Sequence, residues 1–277
     1  MVRLAQITDT HILKDGQLLF GRVDTAACLK AAISYLNRTK HLYDAVLITG
    51  DLVNDGTVDE YNNFAHIIKD LQLPYYPIPG NHDDPDAMRA IFPHIAELPA
   101  TGDLTYAIEI NGLRVVMVDT RVPGASHGEI TTERVELIDA LLEEKTDTPT
   151  LIAMHHPPFM TGIGFMDEIG CVGADIFGAM IARHSQVLSI VCGHVHRSII
   201  GSVSGTPIII SPGTAHAVTL DLDGRAGATY TLEQPAMHVH ELSVAATKEP
   251  MLITNRIGFD EDLESYKFGW FKGEPGL

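Results

Sequence analysis

Leu4-Ala5-Gln6-Ile7-Thr8-Asp9-Thr10-His11 and Ala45-Val46-Leu47-Ile48-Thr49-Gly50-Asp51 are the stretches whose reading decides the fold. Each is a short, mostly apolar run that stops in a polar tail, the pattern of a buried strand feeding a functional loop. Between them Ala26, Leu29, Ile33 and Leu36 recur at i, i+3, i+7 and i+10, one face of a helix, with Asp24 or Thr25 placed to cap its start. Strand, helix and strand in that order predict a β-α-β unit.

The rhythm continues outward from this unit. Thr57 and Glu60 have the spacing of a capping box and open a helix whose Tyr61, Phe64, Ile68 and Leu71 share a face; a strand over 75–78 then leads to Pro79-Gly80-Asn81-His82. Segments 105–110 and 113–118 flank Asn111-Gly112, a pair that tolerates the positive φ of a type I′ turn, so a hairpin is expected and the sheet is mixed. Helices near 133–144 and 174–184 precede strands over 150–154 and 187–192, which end at His155-His156 and Gly193-His194-Val195-His196. A second hairpin, 199–203 with 207–210, ends at Ser211-Pro212-Gly213-Thr214-Ala215-His216. Beyond Ala217 the strand-helix rhythm is lost, with a turn near 224–227 before short runs at 229–232 and 237–242. A catalytic core over 1–216 and a C-terminal cap or dimerisation extension over 217–277 are therefore expected.

A chain of 277 residues suffices for one large core with an appendage, and 45% hydrophobic with 20% charged residues excludes wholesale disorder. Against 36 Asp and Glu stand 19 Lys and Arg, a formal charge of −17 with no basic cluster, so polymeric nucleic acid and anionic membranes are not expected partners. The first ten residues carry one basic side chain and no secretory apolar run, and no apolar stretch of about 18 residues occurs, so a cytoplasmic protein is expected. Cys28, Cys171 and Cys192 are too few and too scattered for a disulfide framework or a thiolate zinc site; the 14 histidines say more.

Asp9, His11, Asp51, Asn81, His155, His194 and His196 all fall just past the expected C-terminal end of a strand. In a layered α/β fold those ends converge on one edge, where ligands bind. Oxygen and imidazole donors without thiolate suit manganese, iron, cobalt or zinc. One ion does not need seven ligands, whereas two ions about 3.5–4 Å apart sharing a carboxylate use them well and can stabilise the attacking and departing oxygens of phosphoryl transfer. Taken singly, Asp9-Thr10-His11, Gly50-Asp51 and Gly80-Asn81-His82-Asp83 read as ordinary turns; their ordered recurrence at strand ends reverses that reading. Gly193-His194-Val195-His196 follows a strand, so an extended backbone would project both imidazoles to one side.

As a set, Asp9-Thr10-His11, Gly50-Asp51-Leu52-Val53-Asn54, Gly80-Asn81-His82-Asp83, His155-His156-Pro157-Pro158 and Gly193-His194-Val195-His196 resemble the calcineurin-like metallophosphoesterases over about residues 3–216. Met154-His155-His156-Pro157-Pro158 and Pro212-Gly213-Thr214-Ala215-His216 are similar to the bacterial glycerophosphodiesterase and cyclic-nucleotide phosphodiesterase branch, the former being the closer likeness. The resemblance implies a four-layer α/β/β/α sandwich of two mixed sheets flanked by helices. It further implies that Asp9, His11 and His196 hold one divalent ion, Asn81, His155 and His194 the other, and Asp51 bridges them, with His156 behind His155. Hydrolysis would proceed by attack of a metal-bound hydroxide. His82 would sit beside the substrate phosphate, oriented by Asp83 or Asp84, and His216 would contact substrate. The expected substrate is a small phosphodiester, glycerophosphodiesters first, with 3′,5′-cyclic nucleotides or a non-catalytic metal scaffold as alternatives.

Arg22, Asn54, His82, Phe159, Met160 and His216 are candidates for the substrate wall, and so few basic groups favour a diester over a more highly charged monoester. His66, His94, His127, His184, His238 and His240 lie outside the motifs and are expected to face solvent or to be satisfied in the core. Tyr230, Met237, Met251, Ile253, Ile257, Phe259, Tyr266, Phe268, Trp270 and Phe271 concentrate apolar mass near the C-terminus. They either cover the core or, as the resemblance implies, build a homodimer or higher homo-oligomer.

Overall fold

A computed structural model describes residues 1–244 and 249–259. The first sheet contains β1 (Val2–Ile7), β2 (Ala45–Thr49) and β3 (Tyr75–Ile78), all parallel. The second contains the hairpin β4 (Tyr106–Ile110) and β5 (Leu113–Val118), then β7 (Thr150–Met154), β9 (Val187–Cys192) and the hairpin β10 (Ile199–Val203) and β11 (Thr206–Ile210). Its order is β10-β11-β9-β7-β5-β4, with the four inner strands parallel and each outer strand antiparallel to its hairpin mate. Two small pairs lie outside these sheets: β6 (Gly128–Glu129) with β8 (Cys171–Val172), and β12 (Ala217–Val218) with β13 (Tyr230–Thr231).

Alternation along each strand builds the layers. Leu4, Ala45, Leu47, Leu113, Val115, Met117, Leu151 and Ala153 meet between the sheets. Their neighbours Ala5, Val46 and Ile48 turn outward onto α1 (Thr25–Arg38), α2 (Val58–Ile68) and α3 (Pro85–Ile91). Val116, Val118, Ile152 and Met154 turn outward onto α4 (Thr132–Glu143) and α6 (Ala174–Ile181), with α5 (Gly164–Glu168) nearby. Both faces of these strands are covered, which explains why they read as continuous apolar runs. The result is the expected four-layer sandwich. Asp24 caps α1 by accepting from Ala27 N at 2.8 Å, and Glu60 accepts from Thr57 N at 3.1 Å at the start of α2.

The C-terminal region departs from its expected place outside the core. β14 (Ala236–Val244) pairs antiparallel with β1, and β15 (Pro250–Gly258) pairs with β14, giving the first sheet the order β15-β14-β1-β2-β3. A division at 216/217 therefore cuts across a sheet. Met237 is fully buried and Ile257 and Phe259 pack against the helix side of the first sheet, while Met251 and Ile253 on the outer strand are exposed. Tyr266, Phe268, Trp270 and Phe271 lie outside the described residues. Among the described residues no helix is long and apolar enough to cross a membrane.

Candidate metal centre

Six strand ends deliver the expected site residues to one edge of the sandwich. Asp9 and His11 follow β1, Asp51 follows β2, Asn81 and His82 follow β3, His155 follows β7, His194 and His196 follow β9, and His216 follows β11. Backbone hydrogen bonds stitch the tails together: Asp9 N donates to Gly50 O, His11 N to Asp51 O and Gly193 N to His155 O, each at 3.0 Å. The turns are sharp. Asp9, His11, Asp51, His194 and His196 all adopt positive φ between 41° and 69°, a conformation that costs a non-glycine residue about 1–3 kcal/mol and clusters at functional sites. Two motif glycines are demanded by close approach. A Cβ on Gly80 would lie 2.2 Å from Asp51 Oδ1, and one on Gly193 would lie 2.1 Å from Thr8 Oγ1.

The side chains form two adjoining groups, Asp9, His11, Asp51 and His196 in one, and His155, His156 and His194 in the other, with donor atoms in each group within 4.8 Å of one another. Asp51 Oδ2 stands between the groups, 3.6 Å from His11 Nε2 and 3.3 Å from His155 Nε2. Asp9 Oδ1 lies 3.3 Å from His196 Nε2 and 4.0 Å from His155 Nε2. His155 turns Nδ1 to Thr49 O at 2.8 Å, which leaves its buried Nε2 without a hydrogen-bond partner. The buried Oδ1 of Asn81 is likewise unpartnered. His156 is different: Nδ1 bonds Thr120 Oγ1 at 2.8 Å and Nε2 meets Ser126 O at 3.3 Å, so both nitrogens are engaged. Orphaned donors converging around two carboxylates fit a pair of divalent cations, and an oxygen and imidazole set fits hard or borderline ions.

Electrostatics support the fit. Burial would raise the Asp9 carboxyl, but His196 and His155 outweigh it and hold Asp9 at about 2. Asp51 is held well below the usual carboxylate range in the same way, its burial overcome by His155, His82 and His11. Burial, reinforced by His155, pushes His194 down to about 3, and burial also keeps His11 neutral, the protonation state in which imidazole ligates. For His155 burial works downward, but Asp51 and Asp9 prevail and raise it to about 9.

His82 stands beside this cluster, its ring edge-on to His11 with centroids 4.7 Å apart. Its backbone N donates to Asp51 Oδ1 at 3.0 Å, and its Nδ1 bonds Asn54 O. Neither of the expected orienting carboxylates touches the His82 ring. Asp83 is buried and accepts from Gly80 N at 2.8 Å, from Leu52 N at 3.1 Å and from Tyr61 Oη at 3.0 Å, so it clamps the loops after β2 and β3. Burial and the Asp51 charge raise Asp83 to about 6. Asp84 caps α3, accepting from Asp86 N at 3.0 Å and Ala87 N at 2.9 Å. His216 packs against His196 with centroids 4.4 Å apart, and burial drives it down to about 3.

A cleft of about 410 Å³ opens over the cluster. Asn54, His82 and His216 line it as expected, and none of its lining residues is Lys or Arg. Three expected wall residues lie elsewhere. Arg22 borders a neighbouring depression with Tyr230, Phe159 packs against Gly201 in the second sheet's helix-side core, and Met160 points to solvent at 73% exposure. Sequence reasoning missed the apolar wall of Leu19, Phe20, Phe165, Met166, Ile169 and Tyr230. Phe20 and Tyr230 stack with centroids 4.7 Å apart. Nothing in the local pattern links two residues so far apart in the chain. Of the histidines expected either to face solvent or to be satisfied in the core, His184, His238 and His240 are buried and bonded to Asp139, Ser198 and Gln6 respectively.

Residues 2–198 match the family model for calcineurin-like phosphoesterases. A probable glycerophosphodiester phosphodiesterase, GpdQ, of Arcobacter nitrofigilis is 32% identical over 238 residues, 86% of this chain and 87% of that protein. The 3′,5′-cyclic adenosine monophosphate phosphodiesterase CpdA of Escherichia coli K12 is 26% identical over 270 residues, 96% of this chain and 95% of that protein. A dimetal phosphatase from Danio rerio superposes with a TM-score of 0.67 at 14% identity, covering 95% of this chain and 98% of that one, which shows a shared fold.

Proposed function

The chain belongs to the calcineurin-like phosphoesterase family, and from that premise we propose that it is a dinuclear-metal phosphodiesterase acting on small phosphodiesters, glycerophosphodiesters foremost. The observation that carries the reading is Asp51 Oδ2, set between His11 Nε2 and His155 Nε2 beneath a cleft with no Lys or Arg in its lining. Asp9, His11 and His196 would hold one ion, Asn81, His155 and His194 the other, and Asp51 both; manganese, iron, cobalt and zinc suit such donors. Two such ions, when bound, activate water and neutralise charge on the phosphoryl oxygens. Without a basic wall, a monoanionic diester is accommodated more readily than a dianionic monoester.

The protein's own groups supply the rest. The His82 backbone N–H fixes the rotamer of Asp51. Because Nδ1–H of His82 donates to Asn54 O, the proton available to a departing alkoxide sits on Nε2. Burial opposes that proton, but Asp51 and Asn54 O outweigh it and raise the His82 pKa. Neutral His216, beside His196 at the cleft wall, offers a ring nitrogen to a substrate hydroxyl.

A second reading, a 3′,5′-cyclic-nucleotide phosphodiesterase, is favoured by the Phe20–Tyr230 stack in the cleft wall, whose exposed Phe20 would suit contact with a planar base. The CpdA resemblance supports it as well. Comparing kcat/KM for glycerophosphocholine, glycerophosphoethanolamine and cyclic AMP tests the choice. The account predicts the glycerol diesters ahead, and a clear preference for cyclic AMP would replace it with the second reading. A homodimer or higher oligomer is part of the proposal, supported by Met251 and Ile253 exposed on the outer strand β15. Light scattering on the full chain checks it, with a monomer as the contrary result.

A further inference from the structure

Gln6 is fully buried one residue before the end of β1, and its amide reaches three other strands. Nε2 donates to Thr49 Oγ1 at 2.8 Å in β2, and to Cys192 O at 3.0 Å in β9 of the opposite sheet. Oε1 faces His240 Nε2 at 2.9 Å in β14, and His240 Nδ1 lies 2.9 Å from Thr254 Oγ1 in β15. An amide oxygen only accepts, so His240 must carry its proton on Nε2, and its Nδ1 then accepts from the Thr254 hydroxyl. The Cys192 carbonyl, which also only accepts, fixes which way the Gln6 amide points.

The two contacts of Gln6 Nε2 sit one step before the metal-centre loops. Thr49 precedes Gly50-Asp51, and its carbonyl accepts from Thr8 Oγ1 at 3.0 Å and from His155 Nδ1 at 2.8 Å. Cys192 precedes Gly193-His194, and Gly193 has no room for a side chain against Thr8. Asp51 and His194 come from different sheets. The side chain of Gln6 is a direct polar tie between the strands that carry them.

We infer that Gln6 and His240 are positioning residues that set the separation of the two halves of the metal centre, with β14 acting through Gln6 rather than as a remote cap. The inference rests on the dinuclear reading proposed above. If His240 cannot donate, the Gln6 oxygen is left buried without a partner, and the amide, held then only through Nε2, loses the anchor on β14 that keeps it seated between Thr49 and Cys192.

The test uses the full chain with Mn(II). Stepwise affinities are measured by calorimetric titration, and the Mn–Mn exchange coupling by electron paramagnetic resonance, for the unaltered protein, His240→Leu, His240→Gln and Thr254→Val. The amide of His240→Gln can still donate to Gln6 Oε1, whereas His240→Leu cannot. We expect His240→Leu to weaken the second Mn(II) step by about 10-fold or more and to alter the coupling, since supporting hydrogen bonds behind metal ligands commonly carry 10- to 100-fold in affinity. His240→Gln should return both readouts close to the unaltered values, and Thr254→Val should fall between. Should His240→Leu fail to fold, Thr254→Val decides: affinities and coupling indistinguishable from the unaltered protein overturn the inference, as does a His240→Gln protein that folds but fails to restore them. A His240→Leu protein that loses thermal stability while keeping affinity and coupling also overturns it, leaving a purely structural role. An unaltered protein that binds fewer than two ions is a separate outcome and overturns the dinuclear reading itself.

Discussion

Asp83 illustrates how little of a site a residue's type reveals. Its place after His82 suggests an orienting partner, yet its carboxylate is spent on Gly80 N, Leu52 N and Tyr61 Oη. Hydrogen bonds to a charged acceptor contribute about 1.5–3 kcal/mol each and are not additive. Asp83→Ala, which leaves those buried donors without their acceptor, should therefore cost on the order of 1–3 kcal/mol in urea denaturation, and no measurable loss would contradict the clamp. His82→Ala, by contrast, should lower kcat for a diester by about 100- to 10,000-fold with unchanged metal stoichiometry. The clustered Asp, Asn and His candidates were legible because they follow apolar runs at strand ends. Phe20 and Tyr230 were not, because their contact is made only by loop closure across the fold.

At the scale of elements, α1, α2 and the strands of the first β-α-β unit were legible because period-3.6 and continuous apolar patterns alternate cleanly there. The short helices α3 and α5 were not, being only 7 and 5 residues long. β14 was partly visible as a run at 237–242, but nothing local says that it pairs with β1, a contact between opposite ends of the chain. The motif glycines belong to this scale, since they set how closely loops approach. Gly80→Ala should push the β3 loop off Asp51, whose Oδ1 and N would lie 2.2 and 2.5 Å from the new Cβ. Weakened metal binding with an unaltered far-ultraviolet circular dichroism spectrum is the expected outcome. Metal affinity equal to that of the unaltered protein would show that the loop can yield without cost to the site.

For the whole molecule, acid should unfold the sandwich by way of its buried imidazoles as well as its carboxylates. Outside the metal-centre motifs, burial, with Arg256 adding to it, holds His238 at about 4, and burial with His238 holds His240 at about 3, against an ordinary value of 6.5. Between those limits the unfolded chain binds more protons at these two sites, so their contribution to stability is complete above about pH 6.5 and falls as pH drops toward 4. The slope should approach 1.4 kcal/mol per pH unit per histidine in that window. Urea midpoints that stay flat from pH 6.5 to 4.5 would contradict this. The layered architecture and the edge that carries the site were readable from the sequence, whereas the dependence of that edge on the C-terminal strands was not. The most direct test of the central claim is turnover of bis(p-nitrophenyl) phosphate and p-nitrophenyl phosphate by metal-stripped protein reconstituted with Mn(II), Co(II) or Zn(II), alongside Asp51→Ala. The account predicts two ions per chain and metal-dependent turnover that favours the diester and is lost in Asp51→Ala; monoester preference, or diester turnover that survives the substitution, would contradict it.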